Sequence, residues 1–148
     1  MSRISRSALV MHSAKEMFEL VNDCESYPKF LPGCSNARLI HREESYLIGE
    51  LELSKAGMKY TFTTRNELFD PERIELKLVD GPFKKLNGSW YFQPLSETAC
   101  KVHFELDFEA GGGRLVAAVL TPLFNQVASG QVEAFVKRAD VVYGKPSF

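Results

Sequence analysis

The side chains able to do chemistry in this 148-residue sequence are few and poorly spaced for it. His12, His41 and His103 stand far apart, and His103 alternates with charged neighbours on what reads as an outward strand face. Their placement predicts surface histidines rather than acid–base groups or metal ligands. Cys24, Cys34 and Cys100 form no CxxC pair, and neither Cys24 nor Cys34 has a nearby sequence partner to activate it as a nucleophile. An odd set of unpaired cysteines predicts a reducing compartment and buried packing roles. Glu50 and Glu52, and likewise Glu105, Asp107 and Glu109, recur at spacing two. That spacing puts each set on one face of a strand, as solubilising charge rather than an acid–base pair. There is no GxSxG or HExxH, and Gly111-Gly112-Gly113-Arg114 lacks the Lys-Ser/Thr ending of a phosphate-cradling loop. A non-enzymatic protein without metal or nucleotide is expected.

Apolar rings offer more than the titratable groups do. Eleven phenylalanines accompany a single Trp. The stretch "DCESYPKFLPGCSNARLI", from Asp23 to Ile40, crowds Tyr27, Phe30, Leu31 and Pro32 between two cysteines. It is too apolar for a solvated loop and too interrupted by Pro and Gly for a regular helix. The net charge of −1 argues against a generic basic nucleic-acid binder. The cationic concentrations, Lys84-Lys85, Lys137-Arg138 and Arg3 with Arg6, read as solvated surface. The N-terminal segment has no apolar h-region, and no run approaches the ~18 apolar residues of a membrane span. A cytoplasmic location is expected, at most peripheral to a membrane.

These groups must be positioned by two kinds of element. Residues 3–11 read as a strand, after which Ser13 and Glu16 form a capping-box pattern ahead of a short helix burying Met17, Phe18, Leu20 and Val21. From about Ser35 to Ala110 the period changes to two, as in "CKVHFELDFEA", which points Cys100, Val102, Phe104, Leu106 and Phe108 to one side. Met58, Tyr60 and Phe62 are placed inward by the same rule. Turn residues at "KAG", "FDPER", "VDGPF" and "PLSET" predict sequential hairpins, six or seven strands in all. Arg114 to Val142 then reads as a long helix that Pro122 should kink or divide. The fold class expected is α+β: a curved antiparallel sheet wrapped around a long C-terminal helix, with one core between them.

That element order resembles the START-like, helix-grip superfamily. The stretches "YPKFLPGC", "DGPFKKLNGSWYF" and "AFVKRADVVYG" are similar to three segments of its polyketide cyclase/dehydrase branch, which includes ubiquinone-binding proteins and bacterial ribosome association toxins. The resemblance spans about residues 3–144, and one departure is Gly33, where relatives often carry a bulkier residue, commonly Trp. It implies a single START-like lipid-binding domain over residues 1–148 with an apolar tunnel between sheet and helix. The tunnel residues it implies are Leu51, Leu53, Tyr60, Phe62, Trp90, Phe92, Phe104 and Phe108 from the sheet, faced by Val119, Leu123 and Val127 from the helix. Tyr27, Phe30 and Leu31 would form a lid. Tyr60, Asn66 and Trp90 are the polar groups best able to meet a quinone carbonyl. The function implied first is a carrier of ubiquinone or a related polyisoprenoid, supporting respiratory electron transport and exchanging ligand at a membrane surface. The alternative is a toxin that binds the large ribosomal subunit and blocks subunit association, through Lys84, Lys85, Lys137 and Arg138.

Overall fold

A computed structural model describes residues 2–145. The alternating segments form seven strands: β1 (Ser2–Val10), β2 (Cys34–Arg42), β3 (Tyr46–Lys55), β4 (Met58–Phe69), β5 (Arg73–Asp80), β6 (Phe83–Ser96) and β7 (Ala99–Ala110). β2 to β7 meander in sequence order and β1 pairs with β7, giving the order β1-β7-β6-β5-β4-β3-β2, antiparallel throughout. β1 and β2 are therefore opposite edges of one sheet. The chain between them crosses from edge to edge as α1 (Ala14–Asn22) and a 3₁₀ helix over Cys24–Lys29.

The start of α1 has the expected capping box. Ser13 Oγ accepts from the Glu16 N–H at 3.1 Å, and the Ser13 N–H donates to Glu16 Oε1 at 3.1 Å, an arrangement that stabilises a helix by about 1 kcal/mol. Tyr27-Pro28 does not end α1, which stops at Asn22; the pair lies inside the 3₁₀ helix that follows. The Tyr27 carbonyl accepts from both Phe30 N–H and Leu31 N–H, folding "YPKFL" back on itself. The buried Tyr27 hydroxyl donates to the Val21 carbonyl.

Alternation sorts the sheet as read. Cys100, Val102, Phe104, Leu106 and Phe108 are all buried on β7, as are Leu86, Trp90 and Phe92 on β6 and Ile74 on β5. Met58 is the exception, 48% exposed, because it pairs with Lys55 at the tip of the β3–β4 hairpin, beyond the helices. Extra residues in β2, β5 and β6 shift the register and bend the sheet. Gly88 belongs to this curvature: a Cβ there would lie 2.6 Å from the Glu105 carbonyl oxygen on β7. Only a residue without a side chain admits so close an approach.

The C-terminal helical pattern is two helices, α2 (Arg114–Ser129) and α3 (Gln131–Tyr143), bent by 44° at Gly130. This corrects the expectation that Pro122 would break it. Pro122 and Ala118, whose carbonyl loses its donor, both lie on the exposed side of α2, where water replaces the missing bond. Gly130 instead follows the last turn of α2, its N–H donating to the Gln126 carbonyl at 3.2 Å. Among the described residues no single helix is long and apolar enough to cross a membrane; α2 and α3 reach that length only as the bent pair.

Candidate functional site

Two aromatic clusters fasten the helices to the sheet. Under α2, Phe124 meets Phe83, Phe108 and Phe62 with ring centroids 4.9, 4.7 and 5.6 Å apart. Under α3, Phe135 meets Trp90, Tyr27 and Phe30 at 5.3, 5.2 and 5.2 Å. Such tilted pairs each add about 0.5–1.5 kcal/mol beyond the area they bury. Between the clusters, beneath the α2–α3 bend, remains an apolar cavity of about 70 Å³. A ligand pocket typically measures ~300–1,000 Å³, so this interior is mostly filled.

Of the tunnel and lid residues implied by resemblance, eight line that cavity: Leu51, Leu53, Phe62, Trp90, Phe104 and Val127 from the tunnel set, and Tyr27 and Leu31 from the lid. The other six lie elsewhere. Phe92 stacks beside Trp90 and meets Phe18 of α1 at 5.8 Å. Phe108 is spent on Phe124, and Leu123 faces the Pro32–Gly33 loop. Tyr60 is buried away from the cavity, with its hydroxyl unpartnered. Phe30 is wedged against α3 rather than closing over an opening. Val119 is 41% exposed, on the same exposed side of α2 as Ala118 and Pro122.

Sequence reasoning missed Phe124, Thr64, Leu76, Leu86, Leu106 and Gln131 as lining residues. Phe124 carried a signal, since it follows Leu120 by four positions. Gln131 stands at the same spacing, four positions after Val127, but as a polar residue it gave no apolar signal. Polarity in the cavity comes from Thr64, whose Oγ1 donates to Asn66 Oδ1 at 2.9 Å, and from Gln131. Cys24 also lines it, its thiol pushed up to about 11 by burial and then by the nearby Glu25 and Asp23. Burial likewise holds the Tyr27 phenol well above its ordinary range. Neither group is prepared to ionise, so the cavity offers apolar surface and neutral hydrogen bonds.

A family model described as polyketide cyclase/dehydrase and lipid transport matches residues 10–136. The chain belongs to this family. The ribosome association toxin RatA of Vibrio cholerae serotype O1 is 46% identical over 145 residues, covering 98% of this chain and 100% of the relative. The coenzyme Q-binding protein COQ10 homolog B of Xenopus laevis is 25% identical over 145 residues, covering 95% of this chain and 59% of that protein. Among solved structures, the Zhui aromatase/cyclase of Streptomyces sp. R1128 superposes with a TM-score of 0.81 at 16% identity, covering 94% of this chain and 93% of that one. At that identity the likeness is one of fold.

On this polyketide cyclase-like frame the exterior charges are distributed unevenly. The outer face of the sheet is laced with ion pairs: Arg3–Asp107, Arg38–Glu50, Arg65–Glu67 and Arg73–Glu75, at 3.8, 3.3, 2.7 and 3.2 Å. The candidate ribosome-binding cations are not one patch. Lys84 and Lys85 open β6 beside Gly111, just ahead of α2. Lys137 and Arg138 lie on α3, beyond the whole of α2, which spans about 24 Å. Lys137 pairs with Glu133 at 3.2 Å, and the Arg138 guanidinium sits over the Phe30 ring at 5.3 Å.

His12 corrects the expectation of surface histidines. It is buried, and its Nε2 lies 2.8 Å from Asp140 Oδ1 on α3. The partners are 128 positions apart, so no local spacing announces them. Among the described residues, no three metal-ligating side chains gather at one point.

Proposed function

We propose that this chain is a ribosome-associating protein of the RatA kind, acting through its exterior on the large ribosomal subunit and blocking subunit association. The observation that carries this reading is the likeness to RatA, 46% identity over the full length of that relative. The filled interior agrees with it, since about 70 Å³ between sheet and helices is too small for a prenyl quinone. Lys84 and Lys85, beside the entry to α2, are the cations assigned to ribosomal phosphate. The role is one of binding, without a catalytic step: the thiols are buried and held protonated, and His12 is committed to Asp140.

Sedimentation with purified large subunits tests it. The protein should travel with the subunits at low salt and be released as salt rises, because each phosphate contact returns a counterion. Lys84→Glu with Lys85→Glu should abolish the association in a folded protein. Absence of co-sedimentation at low salt would refute the reading.

A second reading rests on the cavity itself. Its apolar walls and the Thr64–Asn66 and Gln131 groups suit an apolar molecule with a hydrogen-bonding head, and COQ10 homolog B is a distant relative. Holding a quinone would require α2 and α3 to swing outward at Gly130. Organic extraction of protein purified from quinone-containing cells, followed by mass spectrometry, decides it. Stoichiometric quinone would establish this reading, and an empty protein that takes up none would remove it.

A further inference from the structure

Outside the cavity, two surface clefts of about 440 and 360 Å³ run between the Lys29–Gly33 loop and the helices. Both are lined by Pro32 and Gly130, so they form one groove that passes the α2–α3 bend. Its floor is apolar, made by Phe30, Pro32, Ala134 and Val127, with Val141 at one end 73% exposed. Its rim is cationic, with Lys29, Lys137 and Arg138 at one end and Lys55 at the other. The single acid along it, Glu133, is already engaged by Lys137.

Two features show an unmet demand for carboxylate. Lys29 and Lys55 carry no ion pair among the described residues. Arg138 lines the groove with its guanidinium carbon 5.3 Å from the Phe30 ring centroid, and it too carries no ion pair among the described residues. A guanidinium placed over a ring keeps its planar fork for a carboxylate at little further entropic cost. We infer that this groove docks an acidic segment of another protein, with carboxylates meeting Arg138 and Lys29 and one apolar side chain resting on Pro32 and Ala134.

Nucleic acid fits the groove less well. Base stacking needs an open ring face, but Phe30 carries Arg138 over its ring and packs against Phe135 and Tyr27. Glu133 between the cations would also repel a continuous phosphate backbone. A bilayer fits it less well, since Lys29, Glu133, Lys137 and Arg138 line the same cleft as its apolar residues. The inference goes beyond ribosome association, because it uses a surface separated from Lys84 and Lys85 by the length of α2.

Selection of a random peptide phage library on the immobilised full-length protein tests it. The expected result is enrichment of peptides in which Asp or Glu flank one apolar residue, binding at least about tenfold more weakly to Arg138→Ala, the loss of one charge-assisted hydrogen bond. Because Arg138 also packs on Phe30, Lys29→Glu and Val141→Glu serve as second variants at exposed positions, and both should weaken the same peptides. Lys84→Glu should not. Enriched peptides without acidic residues, binding indifferent to all three groove variants, or no enrichment at all would overturn the proposal. It would equally be overturned if the groove variants abolished binding of single-stranded poly(U), or dissolved a dimer of the chain itself, without affecting any peptide.

Discussion

Nε2 of His12 lies 2.8 Å from Oδ1 of Asp140 and ties the end of β1 to α3. A carboxylate only accepts, so the histidine nitrogen donates. Nearby, the Tyr143 ring lies 6.0 Å from His12, and its hydroxyl donates to the Glu16 carbonyl at 3.0 Å, so strand end, α1 and α3 meet at one polar point in an otherwise apolar wall.

Asp140→Ala should therefore cost about 1–3 kcal/mol, the penalty for leaving a buried donor without its acceptor. Asp140→Asn keeps an acceptor and should cost less. Urea denaturation of both variants, combined with His12→Ala in a double-mutant cycle, should give a coupling energy clearly different from zero.

Gly33 explains how the "FLPGC" loop closes down on the helices. Its φ is +87°, and a Cβ on it would lie 2.7 Å from Val127 Cγ2. Both the left-handed backbone and the missing space demand glycine. Gly33→Ala should lower stability by about 1–3 kcal/mol, measured by thermal or urea unfolding. Gly33→Trp should push α2 away from the loop, and uptake of a fluorescent apolar dye by that variant, but not by the parent, is the expected sign of an opened interior.

Much of this architecture is legible in the sequence, for physical reasons that also mark the limit. Period two reports which side of a strand a residue faces, so the β7 row from Cys100 to Phe108 is readable residue by residue. Period two does not report what lies above a residue. Phe104 and Phe108 look alike in sequence, yet one lines the cavity and the other fills the space under Phe124. Pro122 is the stronger helix breaker by propensity, but its lost bond faces water while Gly130 sits where the helix must turn. Met58 follows the strand pattern but sits at a hairpin tip, and Val119 lies with Ala118 and Pro122 on the exposed side of α2, so neither reaches the core. Pairs such as His12 and Asp140 depend on tertiary contact alone.

Phe124 joins three sheet phenylalanines and also lines the cavity. Removing its ring should cost about 3–5 kcal/mol and merge the space it vacates with the existing void. Phe124→Ala should then bind a small apolar probe such as benzene, detected by ligand-induced shifts in an NMR spectrum, where the parent protein binds none. Equal binding by the parent would mean that the interior is already open.

Burial pushes the Cys24, Cys34 and Cys100 thiols up to about 11 from an ordinary value near 9. In the folded protein each thiol holds its proton where the unfolded chain releases it. Unfolding then sheds protons as pH rises above about 9, so the unfolded state is favoured progressively up to about 11. Below the ordinary value both states are protonated, and the thiols contribute no pH dependence. Urea midpoints should accordingly fall as pH is raised from 9 to 11, and replacing all three cysteines by alanine should flatten that decline after allowance for the lost packing. Alkylation by iodoacetamide at neutral pH should be slow for the native protein and rapid once urea unfolds it, because reaction needs both exposure and thiolate. Rapid modification of any of the three in the native state would show that its thiol is neither buried nor held protonated.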